Sequence, residues 1–210
     1  MTTPTNTTQN LDLPIFWQLF QLVCLLQFLL SMTIPTITNT DSKSDSPTLH
    51  TAAKAGDTEG LKALLEKEGI DVNKADSWGR TALLCAAGDG NTEVIKTLLE
   101  KEGIDVNKAD SDGDTALHWA AFYAHHEVIN ALLDAKGIDV NKADRRGHTA
   151  LYIAVYKGHT ACVEGLLQAD GIDANEPNPR GESPLLLAAR NGHNESIDAL
   201  LKADKINVNK

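Results

Sequence analysis

The chain has 210 residues, a length that accommodates one or two folded domains. Hydrophobic residues make up 42% and charged residues 23%, a balance typical of a folded chain rather than a disordered one. The formal net charge of −10 argues against nucleic acid and anionic lipid surfaces as partners, because both are bound through basic faces. Cys24, Cys85 and Cys162 lack the close spacing of a zinc knuckle or a redox pair, so we expect no disulfide framework.

The first predicted element is a charge-free hydrophobic helix over residues 15–34, which follows a polar tail over residues 1–14. A helix of about twenty residues rises about 30 Å, the thickness of a bilayer core, so the segment favours a signal peptide or a membrane anchor. No Lys or Arg precedes it, and no A-x-A cleavage pattern is present, which weakens both interpretations. The alternative is a helix that packs on the rest of the chain or on a partner. Residues 35–45 indicate a flexible linker.

A repeat with a constant step of 34 residues fills the remainder of the chain. Its five units span approximately residues 46–75, 76–109, 110–143, 144–177 and 178–210. Each complete unit opens on a polar turn with a glycine, followed by an N-capping Thr or Ser and a short helix rich in Ala and Leu. A second helix carries paired leucines, and an I-D-V-N type run leads to the next turn. One unit is too small to bury its own apolar stripe, so the units must stack.

These motifs resemble the ankyrin repeat, with its D-x-x-G-x-T-P-L-H opening, its G-H between helices and its G-A-D-V-N exit. The resemblance covers about residues 46–210 and implies an all-α helical repeat solenoid with short β-hairpin loops, preceded here by the hydrophobic N-terminal helix. The sequence departs from the family at several positions. Ala82, Ala116 and Ala150 replace a proline, and Leu84, Tyr152 and Leu186 replace a buried histidine that His50 and His118 keep. Ala124 replaces the glycine between the two helices, where we expect local strain of about 1 kcal/mol.

No pattern in the chain indicates catalysis, a cofactor or a metal site, so we predict that the chain is not an enzyme. His125, His159 and His193 occupy the structural G-H position of the family. The DSDGD run at Asp110 lacks the ligand pattern and the closing Glu of a calcium loop. Cys85 and Cys162 stand where sister repeats carry apolar residues, which predicts buried and unreactive thiols.

Residues that vary between the repeats are the candidates for partner recognition. In the family, partners meet the hairpin tips and the end of the first helix, on the concave face of the stack. Carried over to this sequence, the candidate partner-binding residues are Trp78, Arg80, Asp112, Asp114, Phe122, Tyr123, Arg145, Arg146, His148, Tyr156, Lys157 and Arg190. Aromatic residues and Arg are enriched at binding hot spots, so the preferred footprint is a central aromatic patch flanked by Arg145 and Arg146. The alternative is that some of these side chains only pack between adjacent repeats.

The predicted function is therefore binding of another protein, of unknown identity, by a monomeric repeat domain. Residues 15–34 predict that this domain is membrane-associated or secreted, whereas a packing helix there would leave it cytoplasmic. One alternative is a non-catalytic subunit, or a truncated portion of a larger multidomain protein, since residues 208–210 stop inside a repeat. Another alternative is a structural spacer tethered to a membrane.

Overall fold

A computed structural model of the chain describes residues 48–203 and 206–207. These residues form ten α-helices, grouped in five pairs. The first helices of the pairs form an inner row, and the second helices form an outer row. The inner row contains α1 (Leu49–Ala55), α3 (Ala82–Gly88), α5 (Ala116–Phe122), α7 (Ala150–Lys157) and α9 (Pro184–Asn191). The outer row contains α2 (Thr58–Leu65), α4 (Thr92–Leu99), α6 (His126–Leu133), α8 (Thr160–Leu167) and α10 (Asn194–Lys202).

The predicted hydroxyl caps are present at the start of the inner helices. The side chains of Thr81 and Ser183 each accept a hydrogen bond from the backbone N–H three residues later. In the third repeat, Nδ1 of His118 accepts a bond from the backbone N–H of Thr115 and also contacts the Thr115 hydroxyl. Helices of seven to nine residues are marginal in isolation, so their stability must come from packing against neighbours.

Packing runs along each row in chain order, and each inner helix also packs on the outer helix of its own pair. The core of the inner row includes fully buried leucines at one repeat position, Leu83, Leu117 and Leu151. In the last repeat the fully buried leucine is Leu187, two residues after the equivalent Leu185. The outer row contributes the predicted leucines Leu98, Leu132, Leu166 and Leu200. The predicted burial of Cys85 and Cys162 is confirmed, and burial raises the pKa of both thiols, to about 11 for Cys162.

The prediction of β-hairpin loops is wrong for the described residues, which contain no β-strand and only one isolated bridge, between Ala143 and Thr149. The physical reason is visible at each tip. The backbone N–H of Asp76 donates to the carbonyl of Arg80 at 2.9 Å, as in a hairpin. The return bond is missing, because the N–H of Arg80 donates to Oδ1 of the Asp76 side chain instead. The tips are therefore side-chain-closed turns rather than strand pairs.

A ladder of asparagines joins the loops that leave the outer helices. Nδ2 of Asn107 donates to the carbonyl of Gly137 at 2.8 Å, and its Oδ1 accepts from the backbone N–H of Asp139 at 2.8 Å. Asn73 and Asn141 make the same pair of bonds one repeat earlier and one repeat later. Each asparagine thus ties its own repeat to the next one.

The glycines between paired helices adopt the left-handed conformation that the sequence predicts, as at Gly90 (φ 74°) and Gly158 (φ 71°). Ala124 takes their place with φ 65°, and it is the single described residue other than glycine with positive φ. The strain expected at this position therefore has a structural basis, since positive φ brings Cβ close to the carbonyl oxygen.

The predicted N-terminal tail, hydrophobic helix and linker, over residues 1–45, lie outside the described residues. Within the part of the chain that is described, no helix combines the length and the apolarity needed to cross a membrane.

Candidate partner-binding surface

The tips of successive repeats are joined by backbone hydrogen bonds into a tip ridge, which we define as residues 76–80, 110–114, 144–148 and 178–182. The N–H of Ser111 donates to the carbonyl of Trp78 at 2.9 Å, and the N–H of Arg145 donates to the carbonyl of Asp112 at 3.1 Å. The equivalent residue of the last repeat is Pro179, which has no N–H to donate. Its ring instead lies against Gly147, where an added Cβ would come within 2.6 Å of the proline Cγ.

The first and fifth residues of a tip hold each other's side chains in three of the four tips. The Arg80 guanidinium bonds to Oδ2 of Asp76 through Nε at 3.0 Å and through a terminal nitrogen at 2.8 Å. His148 lies 3.4 Å from Oδ2 of Asp144, and Nδ2 of Asn178 donates to Glu182. Burial raises the pKa of Asp144, but hydrogen bonds from His148 outweigh burial and leave that pKa below its ordinary value.

The tip of the third repeat differs, because Asp110 and Asp114 are both acidic. Oδ2 of Asp110 is satisfied by the indole of Trp119, which donates from Nε1 at 3.0 Å. Asp114 is half-buried, and burial together with the charges of Asp110 and Asp144 raises its pKa to about 7. Trp119 is therefore a structural partner of the tip, a role that the sequence analysis missed.

At the other end of the inner helices, aromatic rings gather around the C-terminus of α5. The rings of Phe122 and Tyr123 meet edge to face with centroids 4.9 Å apart, and Tyr123 stacks on Trp119 at 5.9 Å. Nζ of Lys157, from the next repeat, lies 4.0 Å above the Phe122 ring. Phe122 and Lys157 are thus brought together across a repeat boundary, while Tyr123 remains 43% exposed.

A second aromatic column runs along one side of α7 at intervals of four residues. His148 stacks on Tyr152 with centroids 4.4 Å apart, and Tyr152 stacks on Tyr156 at 6.2 Å. Tyr152 itself is buried and hydrogen-bonded to Asn178 of the next repeat, so it replaces the family histidine as a link between repeats. The column leads from the tip ridge to the C-terminal end of the helix.

The sequence-predicted aromatic patch is divided rather than continuous. Trp78 is 63% exposed on the tip of the second repeat, where the Arg80 guanidinium lies 4.6 Å from its ring centroid. Phe122, Tyr123 and Tyr156 lie at the C-terminal ends of α5 and α7.

The predicted charged residues also divide by environment. Asp112, Arg145 and Arg146 are exposed on the tip ridge. Arg190, at the end of α9, forms an ion pair with Glu182 of its own tip. Together with the inner-helix ends, the tip ridge forms one side of the stack, which we call the inner face.

Other features of the described residues lie elsewhere. A cleft of about 470 Å³ opens between α6 and α8 on the outer row, lined by residues such as Asn130, Gly165 and Gln168. Among the described residues, no three or more His, Cys, Asp or Glu side chains are grouped so that they could hold a metal ion.

The family model for ankyrin repeats in three copies matches residues 49–144 and 139–210. The chain belongs to the ankyrin repeat family. Ankyrin repeats are generally protein–protein interaction modules, and proteins built from them are typically non-catalytic. No curated protein matches the chain.

Proposed function

We propose that this ankyrin stack binds a partner protein through its inner face and that the chain itself catalyses no reaction. The observation that carries the proposal is the exposure of Trp78 and Tyr123 on that face, in a protein whose other aromatic side chains are at least half-buried where described. Exposed aromatic residues beside arginines are the combination that dominates binding energy at protein interfaces.

The scaffold supports this function because it holds recognition residues on rigid elements. One repeat position, at the end of the inner helix, is occupied by Gly88, Phe122, Tyr156 and Arg190 in successive repeats. The leucines five residues earlier, Leu83, Leu117 and Leu151, are fully buried in the first three of these helices. A fixed backbone with varied exposed side chains lets the surface change while the fold does not.

The test is site-specific photo-crosslinking in cells, with the crosslinking amino acid placed at Tyr123 or, as a control, at Lys136 on the outer side of the stack. We expect a discrete adduct from position 123 and none from position 136. The purified partner should then lose about tenfold or more in affinity for Tyr123→Ala, with a circular dichroism melt showing that the variant is folded. Equal adducts from both positions, or unchanged affinity, would count against the proposal and would favour a spacer.

We further propose that residues 15–34 direct the repeats to a membrane or into a secretory route. Support comes from the sequence alone, since no charged residue lies between Asp12 and Asp41. The full chain with a C-terminal tag should be analysed by intact mass and by carbonate and detergent extraction. A mature N-terminus near residue 34 in the medium indicates a signal peptide, and a full-length product that needs detergent indicates an anchor. A full-length product that is freely extracted would contradict both.

A further inference from the structure

The arginines of this chain are confined to one side of the stack. Arg80, Arg145, Arg146 and Arg180 lie on the tip ridge, and Arg190 lies at the C-terminal end of α9. The chain contains no other arginine. The outer helices carry only lysines as permanent cations, namely Lys62, Lys96 and Lys202. Lysines occur on both sides, since Lys54 and Lys157 lie at the ends of inner helices, so only arginine is restricted to one side of the stack.

Four of the five arginines belong to the last two repeats. We define the basic half of the inner face as Arg145, Arg146, Lys157, Arg180 and Arg190. Two of the carboxylates beside it are already bound, since Asp144 is held by His148 and Glu182 by Asn178 and Arg190. Arg145 and Arg180 are exposed and form no ion pair with any described residue. This concentration of cations stands out on a chain with a net charge of −10.

We propose that the basic half of the inner face binds an acidic, extended segment of the partner protein. This inference rests on the proposed function and adds the chemistry of the partner. Arginine is suited to that role, because its planar fork donates two parallel hydrogen bonds to one carboxylate and stays charged at all physiological pH values. Recruiting carboxylates to Arg145 and Arg180 breaks no ion pair among the described residues.

The geometry sets the spacing of the acidic residues. Neighbouring packed helices lie about 8–10 Å apart. An extended peptide advances about 3.3 Å per residue, so about three residues span one repeat. An Asp or Glu at every third position therefore meets successive repeats. Tyr156, at the C-terminal end of α7, offers an aromatic surface to the intervening side chains.

A nucleic acid fits this surface less well than a peptide. The ridge turns acidic one repeat earlier, at Asp112 and Asp114, where a continuous phosphate backbone would be repelled. A short peptide can stay within the last two repeats and avoid those carboxylates. Phosphate recognition also depends on a broad basic face, which an acidic protein of this kind lacks.

The experiment measures fluorescence anisotropy of labelled peptides of about twelve residues on the full-length protein. Three peptides share the same apolar residues and carry Glu, Gln or Lys at every third position. The protein variants are the pair Arg145→Glu and Arg180→Glu and, as a control of identical charge change, the pair Lys96→Glu and Lys202→Glu on the outer helices. A third variant, Tyr123→Ala, changes the inner face without changing its charge.

We expect the Glu peptide to bind about tenfold or more tightly than the Gln peptide, and more weakly as ionic strength rises from about 0.05 to 0.5 M. The arginine pair should lower that affinity about tenfold or more, while the lysine pair should change it less than about threefold. Equal binding of the Glu and Gln peptides, equal losses in the two charge-change variants, or no binding of the Glu peptide would each overturn the inference. The crosslinking at position 123 reports on the proposed function separately: an adduct there with no preference for acidic peptides would leave the function standing and remove this inference alone.

Discussion

Asp110 and Asp114 face each other across one tip, with the backbone N–H of Asp114 donating to Oδ1 of Asp110 at 3.0 Å. The equivalent residues attract each other in the second and fourth repeats, where Arg80 pairs with Asp76 and His148 with Asp144. In the third repeat the two carboxylates repel each other. The tip keeps its shape because Trp119 takes the place of the missing cation at Asp110. Asp114 is left with the repulsion of Asp110 and Asp144, which the charge of Arg146 offsets only in part.

The stability of the stack should therefore depend on Asp114 and on pH. The pKa of Asp114 is raised from 3.8 to about 7 in the folded state, so its ionised form destabilises the fold. The penalty is absent below the unfolded pKa, grows as pH rises between the two values, and is complete above the folded pKa. Asp114→Asn should raise the free energy of unfolding by about 2 kcal/mol near pH 8 and by much less near pH 4. Urea denaturation at both pH values checks this, with the exposed Asp112→Asn as control, and a gain that does not vary with pH would refute it.

Exchanging the residues at the inter-helix position should shift stability in opposite directions. Ala124→Gly should stabilise the fold by about 1 kcal/mol, because glycine adopts positive φ without the Cβ conflict. Gly158→Ala should destabilise it by more, since φ is 71° there and the added Cβ would come within 2.6 Å of the His193 ring. Thermal unfolding followed by circular dichroism distinguishes the two changes. A lower melting temperature for Ala124→Gly would contradict the strain interpretation.

Leu84 and Leu186 occupy the same position in different repeats but differ in exposure, at 1% and 50%. Each intervening repeat is covered by its successor, whereas Leu186 lies at the end of the described stack. Leu84→Ala should cost about 2–4 kcal/mol because it leaves a cavity, and Leu186→Ala should cost less than about 1 kcal/mol. Equal losses in urea denaturation would mean that something covers Leu186 in solution.

The asparagine ladder should contribute measurably to coupling between repeats. Asn107→Ala removes one donor and one acceptor bond across the boundary between the second and third repeats, for an expected loss of about 1–2 kcal/mol. Asn130→Ala, on the exposed side of α6, is the matched control. Backbone amide exchange should accelerate at Asp139, whose N–H loses its acceptor. Unchanged protection at that amide would show that water replaces the asparagine without cost.

Much of the fold could be read from the sequence because the repeat amplifies each local signal. The constant step makes one helix cap or one buried leucine visible several times, as at Thr81 and Ser183. The error over strands has the opposite cause. The hairpin loops were implied by the family resemblance, and only the structure shows that the Asp76 side chain captures the N–H that a strand pair would use.

The candidate surface was harder to predict, because the contacts made by the variable side chains are not periodic. Lys157 lies over the Phe122 ring, and Trp119 donates a hydrogen bond to Asp110. The residues at these positions differ from one repeat to the next. The repeat pattern indicates which positions face the inner side but not which neighbours they meet. That is why the aromatic patch expected from the sequence divides into Trp78 on one tip and a cluster at the ends of α5 and α7.

Pro179 weakens the connection between the fourth and fifth repeats. Backbone N–H donors link the tips of the second, third and fourth repeats. Pro179 cannot supply such a donor, so the tips of the fourth and fifth repeats share one hydrogen bond fewer. In a chain of units coupled to nearest neighbours, each link missing at a seam between units makes that seam easier to open. Arg145 and Arg180 lie on opposite sides of that seam. A bound acidic segment that bridges them would hold the fourth and fifth repeats together. Binding at this surface and local unfolding of the fifth repeat would therefore oppose each other.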